Sequence, residues 1–208
     1  MLRMRLLGRF SLLAALVAAT VSCGDVVRQG RSPMALVVDS LQGVAGKVGG
    51  AGTPAGTLLS DVQALIKTPD PCTATNPCPT VFDDSGTMAL RLVAKDVSVG
   101  PTANNQVTIT RYHVKYTRAD GRNTQGVDVP FEFDGAATVT VPSSGAVTLG
   151  FELVRHVAKE ESPLKQLIAN ASIIHTIADV TVYGTDQVGN AISATGSISI
   201  EFGDFGDQ

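Results

Sequence analysis

Ile192-Ser193-Ala194-Thr195-Gly196-Ser197-Ile198-Ser199-Ile200-Glu201-Phe202 decides the fold class of this chain. Every even-numbered position holds an apolar residue or Gly, and every odd one holds Ser, Thr or Glu. A period of two is the geometry of a β-strand with one face buried and the other wet. Just upstream, Ile174, Thr176, Ala178, Val180 and Val182 keep the same period. Between the two runs lies Asp186-Gln187-Val188-Gly189-Asn190, whose residue types favour a tight turn. The pattern predicts an antiparallel hairpin at the C-terminal end.

The same period extends toward the N-terminus. Met88, Leu90, Leu92 and Ala94 alternate with Ala89, Arg91, Val93 and Lys95, and Val147, Leu149, Phe151 and Leu153 keep the same period. Val107 and Ile109 share one parity, whereas Tyr112, Val114 and Tyr116 share the other. A β-bulge near Thr110-Arg111, or a strand that changes sheets, accounts for the flip. Val127, Val129, Phe131 and Phe133 alternate in turn, and Pro130 would deny one amide to a ladder, so residues 127–134 read as an edge strand. Val139 and Val141 predict a short strand before the turn Pro142-Ser143-Ser144-Gly145. Residues 34–38 and 57–66 read as strands, and the Gly-rich stretch 43–56 between them as a mobile loop. In residues 160–168, Ser162 suits an N-cap, Pro163 the first helical position, and Leu164, Leu167 and Ile168 one apolar face. These features predict an all-β fold: an antiparallel sandwich of eight or nine strands, lidded at one end by one short helix.

The first 22 residues follow a different logic. Arg3, Arg5 and Arg9 precede an apolar run from Phe10 to Val21, too short to span a bilayer as a helix. A basic start, a short apolar core and small residues before a break read as an export signal. Thr20-Val21-Ser22-Cys23-Gly24 resembles the lipobox of bacterial lipoproteins. That resemblance implies cleavage before Cys23 and acylation of its thiol. It divides the chain into a signal peptide at 1–22, a lipidated N-terminus and tether at 23–33, and a β-sandwich domain at 34–208. Two or more acyl chains hold a protein firmly to a bilayer, and outer-membrane residence is the habit of such lipoproteins.

Cleavage changes the electrostatics. Lys plus Arg falls from 16 to 13 against 19 Asp plus Glu, so the formal charge moves from −3 to −6 over 186 residues. No basic stripe remains, which argues against a nucleic-acid partner. The two other cysteines sit in Asp70-Pro71-Cys72-Thr73-Ala74-Thr75-Asn76-Pro77-Cys78-Pro79, directly after Thr68-Pro69. Prolines at 69, 71, 77 and 79 exclude a regular helix or central strand there. A Cys72–Cys78 disulfide clipping this loop is the reading that suits an oxidising compartment.

Catalytic signals are sparse. The glycines around Lys47 fail the phosphate-loop spacing. Ser162-Pro163-Leu164-Lys165 matches Ser-x-x-Lys, but the Ser-Asp-Asn and Lys-Thr-Gly that accompany it in penicillin-recognising enzymes are missing. His113 reads as solvated beside Arg111 and Lys115, and His175 as a buried or edge-facing residue bonded to a backbone carbonyl. With His156 they lack the close pairing that zinc ligation uses. Asp83-Asp84-Ser85-Gly86 and Asp120-Gly121 read as turns, and no Asp-x-Asp-x-Asp loop marks a calcium site. Trp is absent and Tyr numbers three, which argues against a sugar-stacking platform, so Tyr112 and Tyr116 read as core residues.

Asp186-x-x-Gly189-Asn190 between two β runs resembles the last hairpin of bacterial immunoglobulin-like and fibronectin type III-like domains, and the strand spacing over residues 85–203 is similar. The chain departs from antibody-type domains in having no Trp and no inter-sheet Cys pair. The mature chain as a whole looks like envelope lipoproteins of environmental bacteria, a resemblance that implies no particular activity. The resulting expectation is a non-enzymatic binding or structural module of the cell envelope, without cofactor or metal. Its partners would be the membrane, through Cys23, and an envelope protein or glycan. Two alternatives stand beside it. One is an envelope enzyme or carbohydrate-processing accessory whose site is built from distant loops. The other is a subunit of a surface assembly that pairs through the edge strand at 127–134.

Overall fold

A computed structural model describes residues 30–98 and 100–205. The export signal, the lipidation site Cys23, most of the tether and the end of the acidic tail therefore lie outside the described residues. The described chain is mostly β. Its strands are β1 (Met34–Val44), β2 (Gly46–Lys47), β3 (Gly50–Ala51), β4 (Thr57–Asp61), β5 (Ala64–Ile66), β6 (Cys78–Thr80), β7 (Asp84–Ala94), β8 (Val107–Thr117), β9 (Phe133–Val141), β10 (Ala146–Val154), β11 (Ile174–Asp186) and β12 (Ala191–Gly203). Between β10 and β11 come a single turn of α-helix, α1 (His156–Glu160), and a 3-10 helix, Leu164–Ala169.

Two larger sheets carry the architecture. One has the order β1-β7-β10 and the other β4-β12-β11-β8-β9, while β2-β3 and β5-β6 are small separate hairpins. The apolar faces of both larger sheets meet in one core. Met88 and Leu90 of β7, Leu153 of β10, Val107, Ile109 and Val114 of β8, Val180 of β11 and Ile200 and Phe202 of β12 are all fully enclosed there.

The C-terminal hairpin is as the alternation predicts. β11 and β12 pair antiparallel without a break from Ile174↔Phe202 to Thr185↔Ala191. Ala178, Val180, Val182, Ile198, Ile200 and Phe202 are buried, while their odd-numbered neighbours up to Glu201 are not. The parity flip in β8 is a bulge. The register with β9 shifts between Ile109 and Arg111, and that with β11 between Tyr183 and Gly184. One extra residue turns the strand by one position. Val107, Ile109, Tyr112, Val114 and Tyr116 thereby all point into the core.

Several expectations are corrected. Residues 127–132 form no strand: the amides of Val127, Asp128 and Val129 all donate to the Thr124 carbonyl. Pro130 cannot donate to a ladder, and Gly126 sits at φ +75°, so the segment turns instead of extending. Only Val129 and Phe133 of the alternating set are buried, and Val127 and Phe131 are exposed. The edge strand is β9, which starts at Phe133. The sheets are not all antiparallel, because β4 runs parallel to β12, from Ser199↔Thr57 to Gly203↔Asp61. The strand read at 57–66 divides into β4 and β5. The Gly-rich stretch is not a free loop but folds back as β2-β3 and is tied to β1 by paired Gly43–Ala55 amide bonds. The segment at 160–168 is a 3-10 helix that starts after Pro163, with no side-chain cap from Ser162. Its Leu164 and Leu167 are buried against the core.

Candidate functional site

The densest buried polar cluster lies where the two sheets, the Gly-rich hairpin and α1 converge. Asp84 opens β7, and its side chain is fully enclosed. Lys159, on α1, is equally enclosed, and its Nζ lies 2.8 Å from Asp84 Oδ2. The Ser60 hydroxyl, from β4, donates to the same oxygen at 2.6 Å. The Gly46 amide, from β2, donates to Oδ1 at 2.9 Å. Three segments, α1, β4 and β2, thus converge on one carboxyl group of β7.

The local sequence explains the convergence. β10 ends at Val154, opposite Asp84 across a register shift. The chain then turns through α1, which is short enough to bring Lys159 back over the end of β7. Gly46 can reach Asp84 because it has no side chain. A Cβ there would stand 2.1 Å from the Asp83 carbonyl oxygen. Burial pushes the Asp84 carboxyl above the ordinary carboxylate range, against the opposing pull of Lys159, Ser60 and the Gly46 amide.

Aromatic and cationic side chains surround this cluster. Tyr116, on β8, donates its hydroxyl to the Leu153 carbonyl at 2.6 Å. The Arg155 guanidinium lies over the Phe133 ring, 4.3 Å from its centroid. Its Nε is buried without a hydrogen-bond partner, so the ring face is what compensates the charge at that end. Tyr112 packs against Phe133 and Phe151, with ring centroids 6.2 and 5.2 Å away. Both tyrosines are core residues, as expected.

The Asp83-Asp84-Ser85-Gly86 turn expected from sequence is corrected here. Asp84 is the first residue of a central strand, and it is buried because Lys159 compensates its charge. Sequence reasoning missed Asp84, Lys159 and Ser60. Lys159 stands in the charged stretch Arg155-His156-Val157-Ala158-Lys159-Glu160-Glu161, where nothing in the sequence sets it apart from a surface lysine.

The remaining candidates are dispersed. Cys72 and Cys78 lie at disulfide-bonding distance, 1.94 Å between sulfurs and 5.3 Å between Cα atoms. His113 lies 3.4 Å from Asp134 and 3.6 Å from Glu132 on the outer face of β8. His175 is not buried and does not meet a backbone carbonyl. It is exposed, with Nδ1 3.4 Å from the Glu201 carboxylate of the neighbouring strand. Among the described residues, no group of three or more His, Cys, Asp or Glu side chains is placed to hold a metal ion. No helix of the described residues is long and apolar enough to cross a membrane. A cleft of about 380 Å³ beside the Gly-rich hairpin is bounded by Lys47, Asp61, Lys67 and Phe205. No protein-family model matches the chain, and comparisons with curated proteins and with solved structures return no match.

Proposed function

We propose that this chain is a lipid-anchored module of the bacterial cell envelope, an immunoglobulin-like β-sandwich that acts by binding or by support and not by catalysis. The observation that carries the reading is the complete enclosure of Asp84 and Lys159. The strongest polar constellation of the described chain faces its own interior, where it ties β4, β7, the Gly-rich hairpin and α1 together. A group that solvent cannot reach acts on its own fold and not on a diffusing substrate. The membrane half of the proposal is supported by Arg3, Arg5, Arg9, the apolar run and Thr20-Val21-Ser22-Cys23-Gly24. Outer-membrane residence belongs to the same reading.

Metabolic labelling of producing cells with a palmitate analogue tests the anchor. Labelled protein in the membrane fraction, and loss of label in Cys23→Ala, are the expected results. Equal labelling of Cys23→Ala and the parent would end the anchor reading.

A second reading, a subunit of a surface assembly, is favoured by the position of β9. It is one of the two outer strands of the five-stranded sheet, the other being β4, and among the described strands it pairs only with β8. An open edge offers a ladder to another chain. Cross-linking on whole cells that captured only monomer would count against it.

A further inference from the structure

We propose that Asp84 and Lys159 form an intramolecular amide bond, a covalent cross-link between β7 and α1. The geometry is that of two condensing partners held in place. Lys159 Nζ is 2.8 Å from one oxygen of the Asp84 carboxyl group, and both side chains are fully enclosed. Each oxygen also has a donor of its own. The Ser60 hydroxyl reaches Oδ2 at 2.6 Å and the Gly46 amide reaches Oδ1 at 2.9 Å. Holding the amine against the carboxyl group it would attack removes much of the entropic barrier of a bimolecular amide synthesis.

The step balances as a dehydration. Transfer of one proton from the ammonium to the carboxylate gives a neutral amine facing a neutral carboxylic acid. Enclosure favours this exchange, because charged forms lose their hydration there. The amine lone pair then attacks Cγ. Negative charge develops on Oδ1, where the Gly46 amide is already aimed, as an oxyanion donor must be. Oδ2 receives the second proton from the attacking nitrogen, 2.8 Å away, while the Ser60 hydroxyl donates to the same oxygen. The Cγ–Oδ2 bond breaks, one water leaves, and a Cγ–Nζ amide remains. No oxidation state changes and no co-reactant is consumed. The product joins residues 75 positions apart, fastening α1 to the central strand of the three-stranded sheet.

Peptide mapping of the folded full-length chain tests this. The protein is incubated, denatured, reduced and digested with trypsin. The expected result is one species in which residues 68–91 and 156–165 are joined, one water mass below the sum of the two peptides. Trypsin would not cut after Lys159, because its amine would be acylated. The linked species disappears entirely in Lys159→Arg, which keeps the charge but presents a guanidinium in place of the amine. Recovery from the parent of only separate peptides, with normal cleavage after Lys159, overturns the proposal. That readout needs no variant, so it holds even if Lys159→Arg fails to fold.

Discussion

The Tyr116 hydroxyl donates to the Leu153 carbonyl at 2.6 Å, a buried bond that crosses from the five-stranded sheet to the three-stranded one. Leu153 is the residue passed over where the β10–β7 register shifts between Glu152 and Val154. Tyr116→Phe leaves that buried acceptor without its tyrosine donor, at a cost of about 1–3 kcal/mol. Urea unfolding should show a lower midpoint with an unchanged slope. The pH dependence has a defined sign. Burial raises the Tyr116 hydroxyl far above its ordinary value near 10, and the Asp84 carboxylate adds to this. The native state therefore keeps a proton that the unfolded chain loses. Stability from this group is complete below pH 10 and declines as pH rises beyond it. The parent should lose stability above pH 10 more steeply than Tyr116→Phe.

Gly46 is a position where a single methyl group should be costly. Its Cβ would meet the Asp83 carbonyl oxygen at 2.1 Å and the Phe82 Cβ at 2.7 Å. The oxygen belongs to the backbone, so β2 itself must move. That movement draws the Gly46 amide away from Asp84 Oδ1. Overpacking costs about 1–3 kcal/mol, and leaving a buried acceptor without its donor costs a similar amount. Gly46→Ala should lower the melting temperature clearly, whereas Gly49→Ala, where a Cβ meets nothing but a positive φ, should cost less. Comparing the two melts by circular dichroism checks the ranking.

How far the sequence could be read follows from what each signal encodes. The β11–β12 hairpin was legible because each strand buries one face, so composition alternates with geometry. The bulge in β8 was legible for the same reason, since Tyr112 and Val114 break parity with Val107 and Ile109. Residues 127–132 misled because alternation survives there without a partner strand: Pro130 and Gly126 matter more than the hydrophobic period. The parallel β4–β12 pairing carries no local signature, since it joins residues more than 130 positions apart. The Asp84–Lys159 pair was hidden for a deeper reason. A buried ion pair looks in sequence like two surface charges, and only the fold shows that they share one enclosure.

The turn between β11 and β12 is held by one carboxylate. Asp186 Oδ1 accepts the Val188 amide at 3.1 Å and the Asn190 amide at 2.8 Å, and Oδ2 accepts the Asn190 side-chain amide at 2.9 Å. Burial pushes the Asp186 carboxyl up, but Asn190, Val188 and the Ser32 hydroxyl together outweigh it and hold it below the ordinary range. A lowered folded value means that the native state binds this proton less readily than the unfolded chain. The contribution is complete above about pH 4 and is lost as pH falls through the folded value. Asp186→Ala should cost about 1–3 kcal/mol at neutral pH. It should cost less as the solution is acidified, so acid titration of unfolding in parent and variant should show converging stabilities.

Cys72 and Cys78 should contribute modestly and locally. Their separation is six residues, so a bond between them removes little freedom from the unfolded chain, about 2 kcal/mol on the chain-entropy account. The clipped segment leads into β6, which pairs only with the three-residue β5, and neither cysteine belongs to the core. Reduction should therefore loosen the β5–β6 hairpin while leaving the two larger sheets intact. Hydrogen exchange of the Cys72 and Asn76 amides, which donate to the Pro69 and Thr73 carbonyls, should accelerate in dithiothreitol. Exchange of the Val180 and Ile200 amides within the β11–β12 ladder should stay within a few-fold of its starting rate. Cys72→Ser should reproduce the reduced protein in both respects. Global unfolding on reduction would show instead that the clip supports the whole fold.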